Sequence, residues 1–165
     1  MIILGIDPGL AIVGYGVLKY ESNKFSILDY GTIQTDANMP LTKRLHRVYL
    51  GVNQIIKRFS PDYISIEELF FYNNAKTAIA VGQARGVTLL ACEQAGIPIY
   101  EYTPKQVKLA AVGYGLADKK QIQNMVKVIL NLKEIPKPDD AADALAIAIC
   151  HGNMIGPMQE INRLI

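Results

Sequence analysis

Ile2-Ile3-Leu4-Gly5-Ile6-Asp7-Pro8-Gly9 is a short apolar run that ends on an acid and breaks at Pro-Gly, the pattern of a buried strand running into a turn. Ile12 to Tyr20 and Phe25 to Thr35, rich in Val, Ile, Tyr and Thr, flank the polar turn Glu21-Ser22-Asn23-Lys24. They predict a hairpin directly after the first strand. Leu41, Leu45, Val48, Val52, Ile55 and Phe59 then recur every three or four residues, an amphipathic helix opening near Pro40 and closing at Ser60-Pro61. Asp62 to Glu68 repeats the first design, an apolar strand ending in acids.

A long helical stretch from Asn73 to Ala95 stops at Gly96, ahead of a strand from Ile97 to Tyr102. Two short helices, Pro104 to Val112 and Asp118 to Leu130, flank the turn Gly113-Tyr114-Gly115, and a final helix runs from about Pro138 to His151. The order β-β-β-α-β-α-β-α-α-α predicts an α/β fold. Its five-stranded mixed sheet has three antiparallel strands followed by parallel ones, with helices on both faces. Residues 1–152 read as one domain and 153–165 as a C-terminal tail without clean periodicity.

The final helix carries the chain's most unusual local pattern. Pro138-Asp139-Asp140-Ala141-Ala142-Asp143-Ala144-Leu145-Ala146-Ile147-Ala148-Ile149 sets three carboxylates in the first turns of an otherwise apolar helix. Asp140 and Asp143 are spaced i,i+3 and Asp139 and Asp143 i,i+4, so either pair presents two carboxylates from one face. The plain reading is a set of helix-start acids favoured by the dipole. Against it stand Asp7 and the Glu67-Glu68 pair at strand ends, where ligands collect in open α/β sheets. Alternate strand residues face opposite sides, so only one of the two glutamates looks into a given site. Acids that converge without a Cys or His cluster describe a site for a hard cation such as magnesium or manganese.

With 165 residues, half of them hydrophobic, the chain has enough apolar mass for one domain with a sizeable core. No apolar stretch approaches the ~20 residues of a membrane span, and the N-terminus shows a strand rather than a basic leader. These features predict a protein that is neither membrane-bound nor exported. Cys92 and Cys150 lack metal-ligand spacing and fall in apolar helices, so they read as reduced core residues of a cytoplasmic protein. His46 and His151 are isolated and read as non-ligands. A formal charge of +2 does not define a nucleic-acid partner by itself. Lys76 and Arg85 on the long helix, and Lys108, Lys119 and Lys120 on or between the short ones, are nevertheless the point charges and forks a DNA backbone needs.

Gly5-Ile6-Asp7-Pro8-Gly9, Gly14-Tyr15-Gly16, Ser65-Ile66-Glu67, Gly82-Gln83-Ala84-Arg85-Gly86, Gln106-Val107-Lys108 and Asp140-Ala141-Ala142-Asp143-Ala144-Leu145-Ala146-Ile147-Ala148 occur in this order. Together they resemble the RuvC family of crossover-junction endodeoxyribonucleases, of the RNase H-like superfamily, over nearly the whole chain. The resemblance selects Glu67 over Glu68, and Asp140 with Asp143, leaving Asp139 as a cap or supporting charge. It implies that Asp7, Glu67, Asp140 and Asp143 are the catalytic residues and hold Mg2+, two ions per site, with Mn2+ able to substitute. Cleavage would leave 5′-phosphate and 3′-hydroxyl ends.

The same resemblance implies a homodimer on four-way junction DNA, with the RuvA and RuvB branch-migration proteins as partners. It favours Lys108 and Lys119 as backbone contacts and places Phe70 on a loop near the crossover. The small residues of the long helix suit it as the subunit contact. A junction-binding module without catalysis is disfavoured by the complete set of acids, and two further rival readings remain at this level. One is another RNase H-like nuclease acting on RNA or RNA–DNA hybrids, which four acids alone permit. The other is a sugar-kinase or actin-like ATPase, whose phosphate loop Gly5 to Gly9 also resembles, but those proteins need two such domains and this chain supplies one.

Overall fold

The computed structural model describes residues 1–68 and 75–163, without the side chains of 75–77 and 156–163. Three strands open it: β1 (Ile2–Asp7), β2 (Ile12–Glu21) and β3 (Lys24–Gln34). Ser22 and Asn23, both at positive φ, make the tight turn between β2 and β3, the twist that two-residue hairpin loops favour. The helix α1 (Leu41–Phe59) follows, then β4 (Tyr63–Glu67), α2 (Ala75–Gln94), β5 (Ile99–Tyr102), α3 (Pro104–Val112), α4 (Lys119–Ile129) and α5 (Asp139–Arg163). The element order agrees with the sequence reading throughout. Only the final helix differs materially: it continues to Arg163 instead of stopping near His151.

The sheet has the order β3-β2-β1-β4-β5. β1 pairs antiparallel with β2 and parallel with β4, while β5 extends the parallel edge. Alternation along β1 divides the core in two. Leu4 and Ile6 join Val48, Val52 and Ile56 of α1 and Ala91 and Cys92 of α2 on one face. Ile3 joins α3, α4 and α5 on the other. On that second face α5 is enclosed on all sides: Ala144, Leu145, Ile147, Ala148, Ile149 and Cys150 are each at most 1 % exposed.

Two glycines fix the height at which α5 lies. A Cβ at Gly5 on β1 would run into the Ala144 carbonyl oxygen, and one at Gly14 on β2 into the Asp140 carbonyl oxygen. Only hydrogen atoms at these positions let the first turns of α5 rest directly on the sheet. The short helices are set by polar caps. Thr103 and Gln106 form a reciprocal capping box at the start of α3, and Asp118 and Gln121 form another at the start of α4. Such caps satisfy backbone N–H groups that have no partner within the helix.

Candidate active site

The register of β1 against β4 decides which acids meet. Ile6 lies opposite Ile66, and both point into the α1–α2 core. The next residue on each strand therefore turns to the opposite face, so Asp7 and Glu67 emerge side by side under the start of α5. Glu68 turns the other way and lies beyond the end of β4, its N–H donating to the Tyr102 carbonyl. Asp140 sits over Gly14, and Asp143 follows one turn later on the same helix. Asp7, Glu67, Asp140 and Asp143 therefore gather from three elements.

Their electrostatics show that burial and mutual repulsion act on them together. Burial pushes the Asp7 carboxyl up to about 8, with further upward pressure from Glu67, Asp143 and Asp140 and a smaller opposing pull from Lys119. Burial also raises Glu67, reinforced by Asp143 and opposed by Lys108. Asp143 is raised by burial, while its ion pair with Lys119 works against the rise. Desolvated like charges of this kind are relieved by a proton, a basic side chain or a cation.

Lys119 supplies part of that relief. Its Nζ lies 3.0 Å from Asp143 and 3.3 Å from Asp139. As the first residue of α4 it stands at the positive end of a helix dipole, where a cation is disfavoured, and the two carboxylates offset that. Asp139 is thus a partner for Lys119, which the spacing of the acids alone did not reveal. A sequence signal did exist: the capping pattern Asp118-x-x-Gln121 locates Lys119 at a helix start. Lys108, one turn into α3, lines the same cavity as Glu67, Lys119 and Asp143.

The donor set is carboxylate only, which suits a hard divalent cation. Among the described residues, however, no three acid or imidazole side chains are drawn to metal-ligand spacing. The carboxylates are coupled but held apart, with Lys119 as their resident counter-charge. Asp7 would hold the cation from the strand end, Glu67 from the neighbouring strand, and Asp140 and Asp143 from the helix.

Two other expectations fare differently. Arg85 forms an ion pair with Glu101 on β5 and its side chain is 19 % exposed, so its guanidinium is engaged within the fold. Phe70 lies outside the described residues. His151 is fully buried, its Nδ1 2.9 Å from the Tyr102 hydroxyl, and burial lowers its pKa to about 4. That is a neutral core histidine. No described helix is long and apolar enough to cross a membrane.

A β3-β2-β1-β4-β5 sheet with helices on both faces, and acids at the ends of its two central strands and at the start of the helix across them, is the arrangement of the RNase H-like nucleases. Within that class, the family model described as crossover junction endodeoxyribonuclease RuvC matches residues 3–151, and the chain belongs to that family. Proteins of that description from Ruminiclostridium cellulolyticum and Clostridioides difficile are 63 % and 59 % identical to it. Each comparison covers 93 % of this chain, and 92 % and 90 % of the respective relatives. The solved structure of T. thermophilus RuvC in complex with a Holliday junction substrate superposes with a TM-score of 0.87 at 38 % identity, over 96 % of both chains.

Proposed function

We propose that this chain resolves four-way DNA junctions as a homodimer, each subunit nicking one of two strands of like polarity through Asp7, Glu67, Asp140 and Asp143. The observation that carries the reading is the desolvated carboxylate cluster, with Asp7 pushed up to about 8, in a chain that belongs to a family of junction endonucleases. Mg2+ is the favoured cation, two per site, with Mn2+ as a substitute. When bound, such ions lower the pKa of an attacking water and stabilise the leaving oxygen of an in-line displacement, giving 5′-phosphate and 3′-hydroxyl ends.

The residues of the chain do the rest. Asp7 must give up its proton before it can act as a ligand. Asp143 must exchange its ion pair with Lys119 for the cation, which frees the Lys119 ammonium to meet a backbone phosphate. Lys108, which lines the same cavity as Glu67, would do the same from α3. Dimerisation follows from the need to cut two strands at related positions, which one site cannot do. The outer face of α2 supports it. There Ile79 and Leu90 are 69 % and 52 % exposed, and Gly82 and Gly86 leave open space where a second helix can approach. Phe70, from each subunit, would then stack on bases near the crossover. RuvA and RuvB are the proposed branch-migration partners and the cytoplasm the proposed location, in keeping with two buried free thiols.

The test is incubation with end-labelled four-way junctions, linear duplexes and RNA–DNA hybrids in magnesium, with nick mapping on both strands. Paired symmetric nicks confined to the junction are expected. Preferential cutting of the hybrid would overturn the reading in favour of a different RNase H-like activity.

A further inference from the structure

Beside the acids lies a cavity whose floor the metal chemistry does not use. It has a volume of about 190 Å³ and opens between α3, α4 and α5. Glu67, Asp143, Lys108 and Lys119 form its lip. Below them its wall is aliphatic, from Val107, Ile122, Ala146 and Ile147, all at most 8 % exposed.

Such a floor is wrong for a cation, which takes oxygen ligands and water. It is equally wrong for a phosphate, which the two lysines at the lip would hold outside. The space is also small, since sites for drug-sized ligands start at about 300 Å³. A flat ring with polar edges fits on all three counts: its faces lie against the aliphatic wall, and its polar edge stays at the open, hydrated lip.

We propose that this cavity receives one unstacked nucleobase of the cleaved strand, next to the scissile phosphate. The proposal rests on the junction-nuclease reading above and adds a base subsite to it. Glu67 and Asp143 belong both to the acid cluster and to the lip, so a phosphate held across the acids leaves its own or the adjoining base within reach of the opening. Enzymes that do chemistry on a base spend unstacking energy to place it in a pocket, and the same exchange is open to an enzyme that cuts beside the base. At a four-way junction the strands are already interrupted, so that energy is lower than in a duplex. The pocket thereby offers a reason for the enzyme to act at a crossover and to spare a stacked linear duplex.

The experiment uses the full-length protein and junctions that carry 2-aminopurine, or an abasic residue, at each nucleotide flanking the nick. With Asp7→Asn, which should bind without cutting, 2-aminopurine emission at one of these positions should change several-fold on binding. Adding Ala146→Leu, which fills the cavity, should remove that change while altering junction affinity less than twofold. In the otherwise wild-type enzyme, an abasic residue at the same position should slow cleavage about tenfold. Ala146→Leu should slow cleavage of the normal junction similarly, but add nothing on the abasic one.

Because added bulk in α5 can unfold the chain, Ile122→Ala removes part of the floor from α4 instead. With folding checked by circular dichroism, it should likewise erase the difference between normal and abasic junctions. A folded variant of either kind that keeps the wild-type ratio, or emission that is the same with and without Ala146→Leu, would overturn the subsite. Failure of the underlying reading shows separately, as Asp7→Asn that still nicks or wild-type enzyme that cuts linear duplex equally well.

Discussion

The two faces of the sheet are built from the same strands but differ in what they do with charge. On the α1 side the larger cleft, about 570 Å³, is lined by Tyr15, Asp29, Arg47, Leu50, Arg58 and Phe59 among others. Helix α1 is basic, with Lys43, Arg44, Arg47, Lys57 and Arg58 and no acid. Its charges are solvated or paired, as Arg58 is with Asp29 at 3.2 Å. On the α5 side the open volume is smaller, yet four carboxylates are pressed into partial burial and one of them is pushed up to about 8. Size of cavity and density of chemistry therefore separate. Perturbed carboxylates collect where strand ends and a helix start force like charges out of water.

Substitution of the acids puts this contrast under the greatest strain. Asp7→Asn, Glu67→Gln, Asp140→Asn and Asp143→Asn should each lower nicking by more than about a thousandfold, since each would remove one ligand from the proposed metal site, whose ions would contribute several kcal/mol. Junction affinity should be kept, because none of these side chains donates to phosphate. Glu68→Gln and Asp139→Asn should still cut. An active Glu67→Gln beside an inactive Glu68→Gln would refute the assignment of Glu67 from the β1–β4 register.

Gly14→Val tests the seating of the helix that creates the asymmetry. The added side chain meets the Asp140 carbonyl, and overpacking of this kind costs about 1–3 kcal/mol or more. At about 2–4 °C per kcal/mol for a chain of this size, the melting temperature should fall by roughly 2–12 °C, with loss of cleavage. A variant that melts and cuts like the wild type would show that α5 does not depend on this contact.

A smaller and more diagnostic effect is the pH dependence of the metal-free protein. Asp7 rises from 3.8 to about 8 on folding, so the folded chain binds its proton more tightly than the unfolded one. Stability contributed by that proton is lost as pH rises through this window. Glu67 and Asp143 move in the same direction. Thermal melts from pH 5 to 8 in chelator should therefore decline, Asp7→Asn should flatten the decline, and saturating Mg2+ should abolish it. A melt that rises over this range would contradict the repulsive cluster.

The α1 side should respond least. Arg58→Ala breaks an ion pair whose arginine is 71 % exposed, and pairs of that kind contribute about 0–1 kcal/mol. Stability should change by no more than that, and cleavage by less than twofold in a plasmid-cruciform assay. Arg85→Ala sharpens the same point from α2. The Arg85–Glu101 pair is partly buried, so this change should lower the melting temperature more than it lowers junction affinity.

The tests also mark what was legible beforehand. Asp7, Glu67, Asp140 and Asp143 were all visible as acids in apolar settings, and the family motifs chose among the alternatives at Glu67/Glu68 and Asp139/Asp140. Pattern also located the turn at Ser22-Asn23 and the limits of α3, because those features depend on residues a few positions apart. The ion pair of Arg85 was not legible, for the opposite reason. Its partner Glu101 lies on another strand, and nothing local announces the pair. The end of α5 was missed because Gly152 and Gly156 weaken a helix signal that the described backbone nevertheless continues to Arg163.

What the sequence determined by itself was therefore what has a short period: the order of strands and helices, the turns, the apolar faces and the candidate acids. Tertiary structure decided what those acids experience. The β1–β4 register set Asp7 beside Glu67, Gly5 and Gly14 lowered α5 onto them, and the start of α4 brought Lys119 between Asp139 and Asp143. Proton affinity, counter-charge and the cavity under the lip all depend on desolvation and on distances between segments far apart along the chain. A linear pattern carries the groups, but their energies exist only once the chain has brought them together.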